Sequence, residues 1–147
     1  MRKLALVALL AAAVACLAAV PASLPTLGQP LPASGVNLAG RRQLAQSGAV
    51  VRQYQTPRGV TIRAYASAQG TVFGLAWQGV TTPDLQLLLG AHFAAFRAAN
   101  RNHRHRGPVT ITAGDLVVQL SGHMRDLRGR AYLTSAIPPQ LSAAVVR

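Results

Sequence analysis

The chain has 147 residues, a net charge of +12 and only three acidic residues, Asp84, Asp115 and Asp126. This length suits one compact domain. So few carboxylates disfavour glycoside hydrolysis, which needs two of them facing one cleft. Two explanations of the positive charge remain open. One is the Ala- and Arg-rich composition of a GC-rich genome, and the other is attraction to a polyanion such as lipopolysaccharide or an acidic polysaccharide.

The first 22 residues have the pattern of a secretory signal peptide. Two basic residues precede an unbroken apolar run over 4–20, and the small residues Val20 and Ala22 occupy positions −3 and −1 of the expected cleavage site. The run is short for a bilayer span and no basic stop follows it, which disfavours a membrane anchor. We expect a mature protein of residues 23–147, with a charge of +10, that is periplasmic or secreted.

Cys16 is the single cysteine of the chain and lies inside the predicted signal peptide. The mature domain is therefore expected to lack an intrachain disulfide and to depend on a packed core. A lipidation site at Cys16 is the alternative, because small residues precede it, although the apolar run continues beyond it. We expect membrane contact only through the signal peptide or, in this alternative, through the lipid.

Residues 23–47 are rich in Pro and Gly and have little periodicity, which predicts an irregular segment with a short strand or helix near 36–46. A single folded domain is expected over 48–147. Its first part alternates strand patterns and turns, which favours an antiparallel meander. The strands of this meander are predicted at 50–55, 60–66 and 71–78.

The third of these strands has one face of large side chains and one of small ones. Alternation places Phe73, Leu75 and Trp77 together on the large face. The small face includes Gly74, and it predicts that another segment of backbone approaches closely there.

A helix is predicted over 82–100, with Thr82 as N-cap, Pro83 at the first helical position and Asp84 near the positive end of the dipole. An apolar stripe recurs at helical spacing. Its members are Leu85, Leu88, Leu89, His92, Phe93 and Phe96. Further strands are predicted at 109–112, 116–120 and 130–134. The pattern predicts an α+β fold, an antiparallel sheet of about five or six strands with one amphipathic helix packed on one face.

Several short motifs, in the same order along the chain, resemble a family of exported bacterial proteins. The motifs are Gly70-Thr71-Val72-Phe73, Trp77 with Gly79, Pro83-Asp84-Leu85, Leu88-Leu89-Gly90, Asp115-Leu116-Val117-Val118, Gly122-His123-Met124-Arg125 and Gly129-Arg130-Ala131-Tyr132. The family is the domain of unknown function 2844 (DUF2844), and the resemblance covers about residues 48–139. It implies a small exported domain and no particular activity. The chain departs from the pattern at Ala64 and Thr134, where the resemblance implies an acidic residue and Pro.

The segment 122–125 is the leading ligand-site candidate. Its glycine allows a tight turn that presents the imidazole of His123 and the guanidinium of Arg125 together, a pair suited to a carboxylate or a phosphate. The ligand-binding candidates are His123, Arg125, Arg130 and Asp115. The alternative is a structural connection between strands, in which Arg125 pairs with Asp115 or Asp126.

Arg101, Arg104 and Arg106 follow the predicted helix and are the anion-binding candidates. No aromatic residue outside the predicted core lies near them, so we expect no nucleic-acid partner. His103 and His105 lack further ligands nearby and are flanked by cations, so we expect no metal site. No cofactor motif is present, and we expect no cofactor.

The leading functional hypothesis is a non-enzymatic exported domain that binds a ligand or assists an envelope partner. One alternative is that the surface arginines bind an anionic polymer of the envelope. Another is a small hydrolase centred on His123. No catalytic residue is assigned, because Ser121 beside His123 has no identifiable orienting acid.

Overall fold

The structure, a computed structural model, describes residues 24–32, 38–43, 48–101, 103 and 107–147. The predicted signal peptide and Cys16 lie outside these residues. Within them, seven antiparallel strands form one sheet in the order β1-β2-β3-β4-β7-β6-β5. The strands are β1 (Leu38–Gln43), β2 (Val50–Gln55), β3 (Thr61–Ala66), β4 (Val72–Gly79), β5 (Val109–Ala113), β6 (Leu116–His123) and β7 (Asp126–Leu133). The helices are α1 (Leu85–Leu89) and α2 (Phe93–Asn100), and 3-10 turns lie at Gly90–His92, Thr134–Ala136 and Ala143–Val145.

The predicted α+β fold class is confirmed. All six predicted strands are present as β2 to β7, and β1 lies where a short strand or helix was expected near 36–46. Strands β1 to β4 form a meander. The helical segment then carries the chain to the far edge of the sheet, and two hairpins return until β7 pairs with β4. The centre of the sheet is therefore built from strands that are distant in sequence.

The helical segment begins at Leu85, later than predicted, because Asp84 rather than Thr82 is the N-cap. The Asp84 carboxylate accepts hydrogen bonds from the backbone N–H groups of Gln86 and Leu87, at 2.9 and 3.3 Å. These two donors belong to the first turn, where no backbone carbonyl is available to accept them. The carboxylate thus stabilises the start of α1.

Gly90 interrupts the predicted continuous helix. Its φ of +52° lies in the left-handed region, which glycine adopts without a steric penalty. A 3-10 turn follows and separates α1 from α2. The predicted apolar stripe nevertheless faces the sheet, since Leu88, Leu89 and Phe96 are buried in the core.

A β-bulge in β4 changes the faces expected from simple alternation. The pairing of β3 with β4 shifts register between Tyr65 and Ala66 of β3. Phe73 packs in the core on the face opposite the helices. Val72, Leu75 and Trp77 pack on the helix side. The prediction that Phe73 shares a face with Leu75 and Trp77 is therefore wrong, because a bulge inserts one residue into the two-residue repeat.

The sheet separates two groups of buried residues. The larger core lies under the helices and is built around the side chains of Tyr54, Ile62, Leu75, Trp77, Leu88, Leu89, Phe96, Ile111, Leu116 and Val118. The smaller core, on the opposite face, contains Ala49, Tyr65, Phe73, Ala76, Tyr132 and Val146. The helices cover one face, and the C-terminal residues cover part of the other.

Residues 24–32 belong to the packed domain. Leu27 is 2% exposed within the larger core. Its N–H donates to the carbonyl of Leu88 at 2.8 Å, and the N–H of Gly28 donates to the carbonyl of Val72 at 2.8 Å. The packed region therefore extends to the N-terminal side of residue 48, which was the predicted start of the folded domain.

Candidate functional site: a basic groove on the open face of the sheet

A groove of about 570 Å³ lies on the sheet face opposite the helices. Strand register arranges its side chains in two rows. The first row has one residue on each of five adjacent strands. In the order β2, β3, β4, β7 and β6, these residues are Gln53, Arg63, Ala76, Arg130 and Gln119. The second row, on β3, β4, β7 and β6, is Thr61, Gln78, Arg128 and Ser121. The rows lie two residues apart along each strand, which places them on the same face.

Ala76 is the small residue at the centre of the first row. Arg63 and Arg130 stand on either side of it, on the two neighbours of β4. Their backbones are two strand spacings apart, about 10 Å. The groove thus presents two guanidinium groups on either side of the small Ala76 side chain.

Arg130 is held in place by its neighbours. Its Nε donates to Oε1 of Gln119 at 2.6 Å, and one terminal nitrogen donates to the carbonyls of Val146 and Ala143 at 3.0 and 3.4 Å. The guanidinium carbon lies 5.8 Å from the centre of the Tyr132 ring, in a cation–π contact. These contacts orient the side chain before any ligand arrives.

A C-terminal strap, residues 137–147, packs along one end of the groove. Its Val146 is fully buried against β4. A Cβ built on Gly74 would lie 2.6 Å from Cγ2 of Val146, so only glycine leaves room for the valine. A close approach was predicted at this small face of β4, but the structure makes it with the side chain of Val146 rather than with backbone.

Arg63 and Tyr65, on β3, bind the last residue of the strap. A terminal nitrogen of Arg63 donates to the main-chain oxygen of Arg147 at 3.0 Å. The Tyr65 hydroxyl donates to the same main-chain oxygen and accepts from the N–H of Arg147 at 3.1 Å. The strap therefore fixes Arg63 as well as Arg130.

Arg128 makes an ion pair with Asp126, its neighbour on β7. Nε and a terminal nitrogen of Arg128 donate to the two carboxylate oxygens at 3.1 and 2.9 Å, and Nε2 of Gln78 donates to Oδ1 at 3.0 Å. The hydrogen bond from Arg128, and then that from Gln78, lowers the pKa of Asp126. The same pairing raises the pKa of Arg128. Because both side chains are about half exposed, the pair orients Arg128 more than it stabilises the fold.

The groove is electropositive and offers little aromatic surface. Its lining includes four arginines, which are Arg63, Arg128, Arg130 and Arg147. The aromatic residues along this part of the sheet, Tyr65, Trp77 and Tyr132, are at most 8% exposed. Recognition in the groove must therefore depend on charge and hydrogen bonds rather than on ring stacking.

The predicted site at 122–125 forms the tip of the β6–β7 hairpin. A Cβ on Gly122 would lie 2.9 Å from the Cα of Leu127, so the tight turn needs glycine, as predicted. Met124 and Arg125 form the turn between the strands, and Arg125 has a φ of +70°. His123 and Arg125 are exposed and lie outside the groove.

The four predicted ligand-binding residues are not brought together. Asp115 precedes β6, whose eight residues separate it from the hairpin tip by about 25 Å. Its carboxylate accepts a hydrogen bond from the hydroxyl of Ser135 at 2.6 Å. Asp126 pairs with Arg128, so neither carboxylate is the expected partner of Arg125. Of the four candidates, Arg130 lines the groove.

The predicted basic loop is described only in part. Arg101 is exposed at the C-terminal end of α2, and Arg104 and Arg106 lie outside the described residues. In the described part of the chain, no three His, Cys, Asp or Glu side chains are grouped so that they could hold a metal ion. No helix in that part is long and apolar enough to cross a membrane.

Arg63 and Arg128 were not among the predicted site residues. Arg63 belongs to the polar face of a strand that alternation identifies, whereas Arg128 precedes the strand predicted over 130–134 and lies in β7 in the structure. The sequence does not show that β3 and β7 flank the same strand, because the chain runs through a helix and two hairpins between β4 and β7. Only the sheet order places these arginines in one groove.

A small α+β domain, with helices on one face of an antiparallel sheet and a basic groove on the other, is the class of protein that this fold and site define. The chain belongs to the family described as Protein of unknown function (DUF2844), whose model matches residues 13–146. The resemblance is confirmed and extends beyond residues 48–139. No curated protein and no solved structure matches the chain.

The two positions at which the resemblance implies other residues, Ala64 and Thr134, have distinct surroundings. Ala64 is fully buried in the helix-side core. The N–H and the hydroxyl of Thr134 both donate to the carbonyl of Asp115, at 2.9 and 3.1 Å. Proline could make neither bond, because it has no N–H and no hydroxyl.

Proposed function

We propose that this protein is an exported, non-enzymatic binding domain, and that its groove binds an anionic polymer of the cell envelope. The observation that carries the proposal is the row of positioned arginines across the open face of the sheet. Export rests on the signal-peptide pattern of residues 1–22.

The arginines suit this role because their orientation is set in advance. Arg63, Arg128 and Arg130 each make hydrogen bonds within the protein, so binding orders them at a lower entropic cost. A guanidinium pairs well with carboxylate, sulfate or phosphate oxygens. The first row crosses five strands, a span that suits a polymer better than a single small anion.

The hydrolase alternative receives no support from the surroundings of His123. A general base needs a pocket for the substrate and an acid that orients the imidazole. His123 is exposed at a hairpin tip outside the groove. The acidic residue paired with it across the hairpin, Asp126, bonds to Arg128 and Gln78. The groove is therefore the better functional candidate.

Salt-gradient elution from immobilised heparin, used as a generic polyanion, tests the proposal. We expect the Arg63→Gln/Arg128→Gln double variant to elute at a clearly lower salt concentration than the unmodified protein. The reason is that ionic contacts with a polyanion are lost steeply as salt rises. The matched control is Arg58→Gln/Arg97→Gln, which removes the same charge from exposed residues outside the groove. It should elute close to the unmodified protein.

An Arg101→Ala/Arg104→Ala/Arg106→Ala variant separates the groove from the basic loop. Retention that depends on the loop variant and not on the groove variant would overturn the assignment to the groove. Equal losses of heparin retention in the groove and control variants would show that retention depends on net charge alone. That result would also overturn the assignment to the groove. Thermal unfolding of each variant checks that the groove substitutions leave the domain folded.

A further inference from the structure

We infer that the ligand of the groove is a carboxylated polysaccharide, a chain of sugar units whose carboxylates are separated by neutral hydroxyl groups. This inference rests on the proposed function and names the chemical class of its ligand. It follows from the donors and acceptors that remain in the groove after the internal hydrogen bonds are formed.

Arg63 offers the best position for a carboxylate. One terminal nitrogen donates to the main-chain oxygen of Arg147, which leaves Nε and the other terminal nitrogen along a single edge of the guanidinium. Two parallel N–H groups on such an edge match the two oxygens of a carboxylate. The bond to the strap thus orients Arg63 for one bidentate anion.

The other two fixed arginines have fewer nitrogens available for a ligand. Arg130 uses Nε and one terminal nitrogen on Gln119 and the strap, and Arg128 uses Nε and one terminal nitrogen on Asp126. Each has one terminal nitrogen left for a ligand. A densely charged polymer would also place anionic groups beside the Asp126 carboxylate. The groove therefore suits widely spaced charges.

Neutral polar side chains fill the space between the arginines. Gln53 and Gln78 flank the Arg63 position, and Thr61 and Ser121 line the same groove. An amide or a hydroxyl group both donates and accepts hydrogen bonds. Sugar hydroxyls satisfy both functions, whereas phosphate and sulfate oxygens only accept. The Oε1 atom of Gln78, whose nitrogen donates to Asp126, is one acceptor that a hydroxyl would satisfy.

Fluorescence anisotropy with two labelled probes of equal length tests the inference on the purified protein. One probe is a hyaluronate oligosaccharide, in which carboxylated and neutral sugars alternate, and the other is polyphosphate. We expect tighter binding of hyaluronate at moderate salt and a steeper salt dependence for polyphosphate. Neutral dextran should not bind.

Two variants that conserve charge sharpen the test. Gln53→Leu removes hydrogen-bonding capacity and Arg63→Lys removes the bidentate edge. We expect each to weaken hyaluronate binding by about fivefold to tenfold and polyphosphate binding by less than about twofold. Arg58→Gln, outside the groove, should change hyaluronate binding little.

The outcomes separate this inference from the proposed function. Tighter binding of polyphosphate, lost in Arg63→Gln/Arg128→Gln and unaffected by Gln53→Leu, would overturn the polysaccharide inference and leave an anion-binding groove. The polysaccharide inference and the proposed function would both be overturned if neither probe bound, or if the Arg63→Gln/Arg128→Gln variant bound the probes as tightly as the unmodified protein. Hyaluronate binding sensitive to Gln53→Leu and Arg63→Lys supports both.

Discussion

The indole of Trp77 occupies the space that a side chain at Gly129 would need. The two residues are direct cross-strand partners on β4 and β7, and a Cβ on Gly129 would lie 2.7 Å from Nε1 of the indole. Trp77 is 4% exposed in the helix-side core. Gly129 lies between Arg128 and Arg130, so packing on one face of β7 positions two groove arginines on the other.

Gly129→Ala should destabilise the domain by about 1–3 kcal/mol, since the added methyl group forces the Trp77 ring to move within a packed core. Urea unfolding measures the change. Gly114→Ala is a suitable control, because nothing lies within 4 Å of its Cβ position and its φ of +64° adds only backbone strain, about 1 kcal/mol. A Gly129→Ala cost no larger than that of the control would contradict this packing relationship.

Tyr54→Phe and Tyr65→Phe should differ although both remove one hydroxyl group. The Tyr54 hydroxyl is buried without a hydrogen bond among the described residues, so its removal should be neutral or stabilising by up to about 1 kcal/mol. Tyr65→Phe removes two bonds to Arg147 and should cost about 1–2 kcal/mol. Parallel urea unfolding gives both values. A larger loss for Tyr54→Phe would reverse the expectation.

The free energy of unfolding at alkaline pH should also depend on Tyr54. Burial raises the pKa of its phenol, and the adjacent Arg52 offsets part of the rise. A raised pKa in the folded state contributes stability below the unfolded-state pKa of about 10. That contribution is lost as the pH rises through the folded-state pKa. The free energy of unfolding should therefore fall less above pH 10 in Tyr54→Phe, which unfolding at a series of pH values would detect.

Arg128→Gln should raise the pKa of Asp126 towards its ordinary value of 3.8, because the first cause of the lowered pKa is the hydrogen bond from Arg128. Gln78→Leu should produce a smaller rise. A lowered folded-state pKa contributes stability above the unfolded-state pKa, and the contribution is lost as the pH falls through the folded-state value. NMR titration of the Asp126 carboxyl carbon tests this. A pKa unchanged in Arg128→Gln would refute the assignment.

Mass spectrometry of the protein from the cell envelope should find an N-terminus at Ser23, after cleavage following Ala22. A chain that begins at a lipid-modified Cys16 would instead select the lipidation alternative. Recovery of the intact chain from the soluble cell interior, beginning at Met1, would contradict export and the envelope polymer together.

Much of the secondary structure was predictable because local patterns carry it. The strand over 60–66 alternates polar and apolar residues, and the helical stripe buries Leu88, Leu89 and Phe96 as expected. The faces of β4 were predicted less well. Phe73 lies on the unexpected face because the bulge depends on pairing with β3, which local alternation does not encode.

The candidate site shows the same division. The glycine-dependent turn at Gly122 was predicted, because a tight turn is a local property of the backbone. Its position at an exposed tip, away from Asp115, was not predicted. Arg63 and Arg130 lie on strands far apart in the chain and meet across Ala76 only because β7 pairs with β4.

The sequence by itself determined the fold class, the amphipathic helix and the excess of arginine over acidic residues, and it predicts an export signal. These features depend on composition and on short-range periodicity. The tertiary structure alone decided which polar strand faces adjoin, where the C-terminal strap lies and which arginines share the groove. Those relationships arise from long-range strand pairing and from close packing at Gly74 and Gly129, where contacts between distant segments set the geometry.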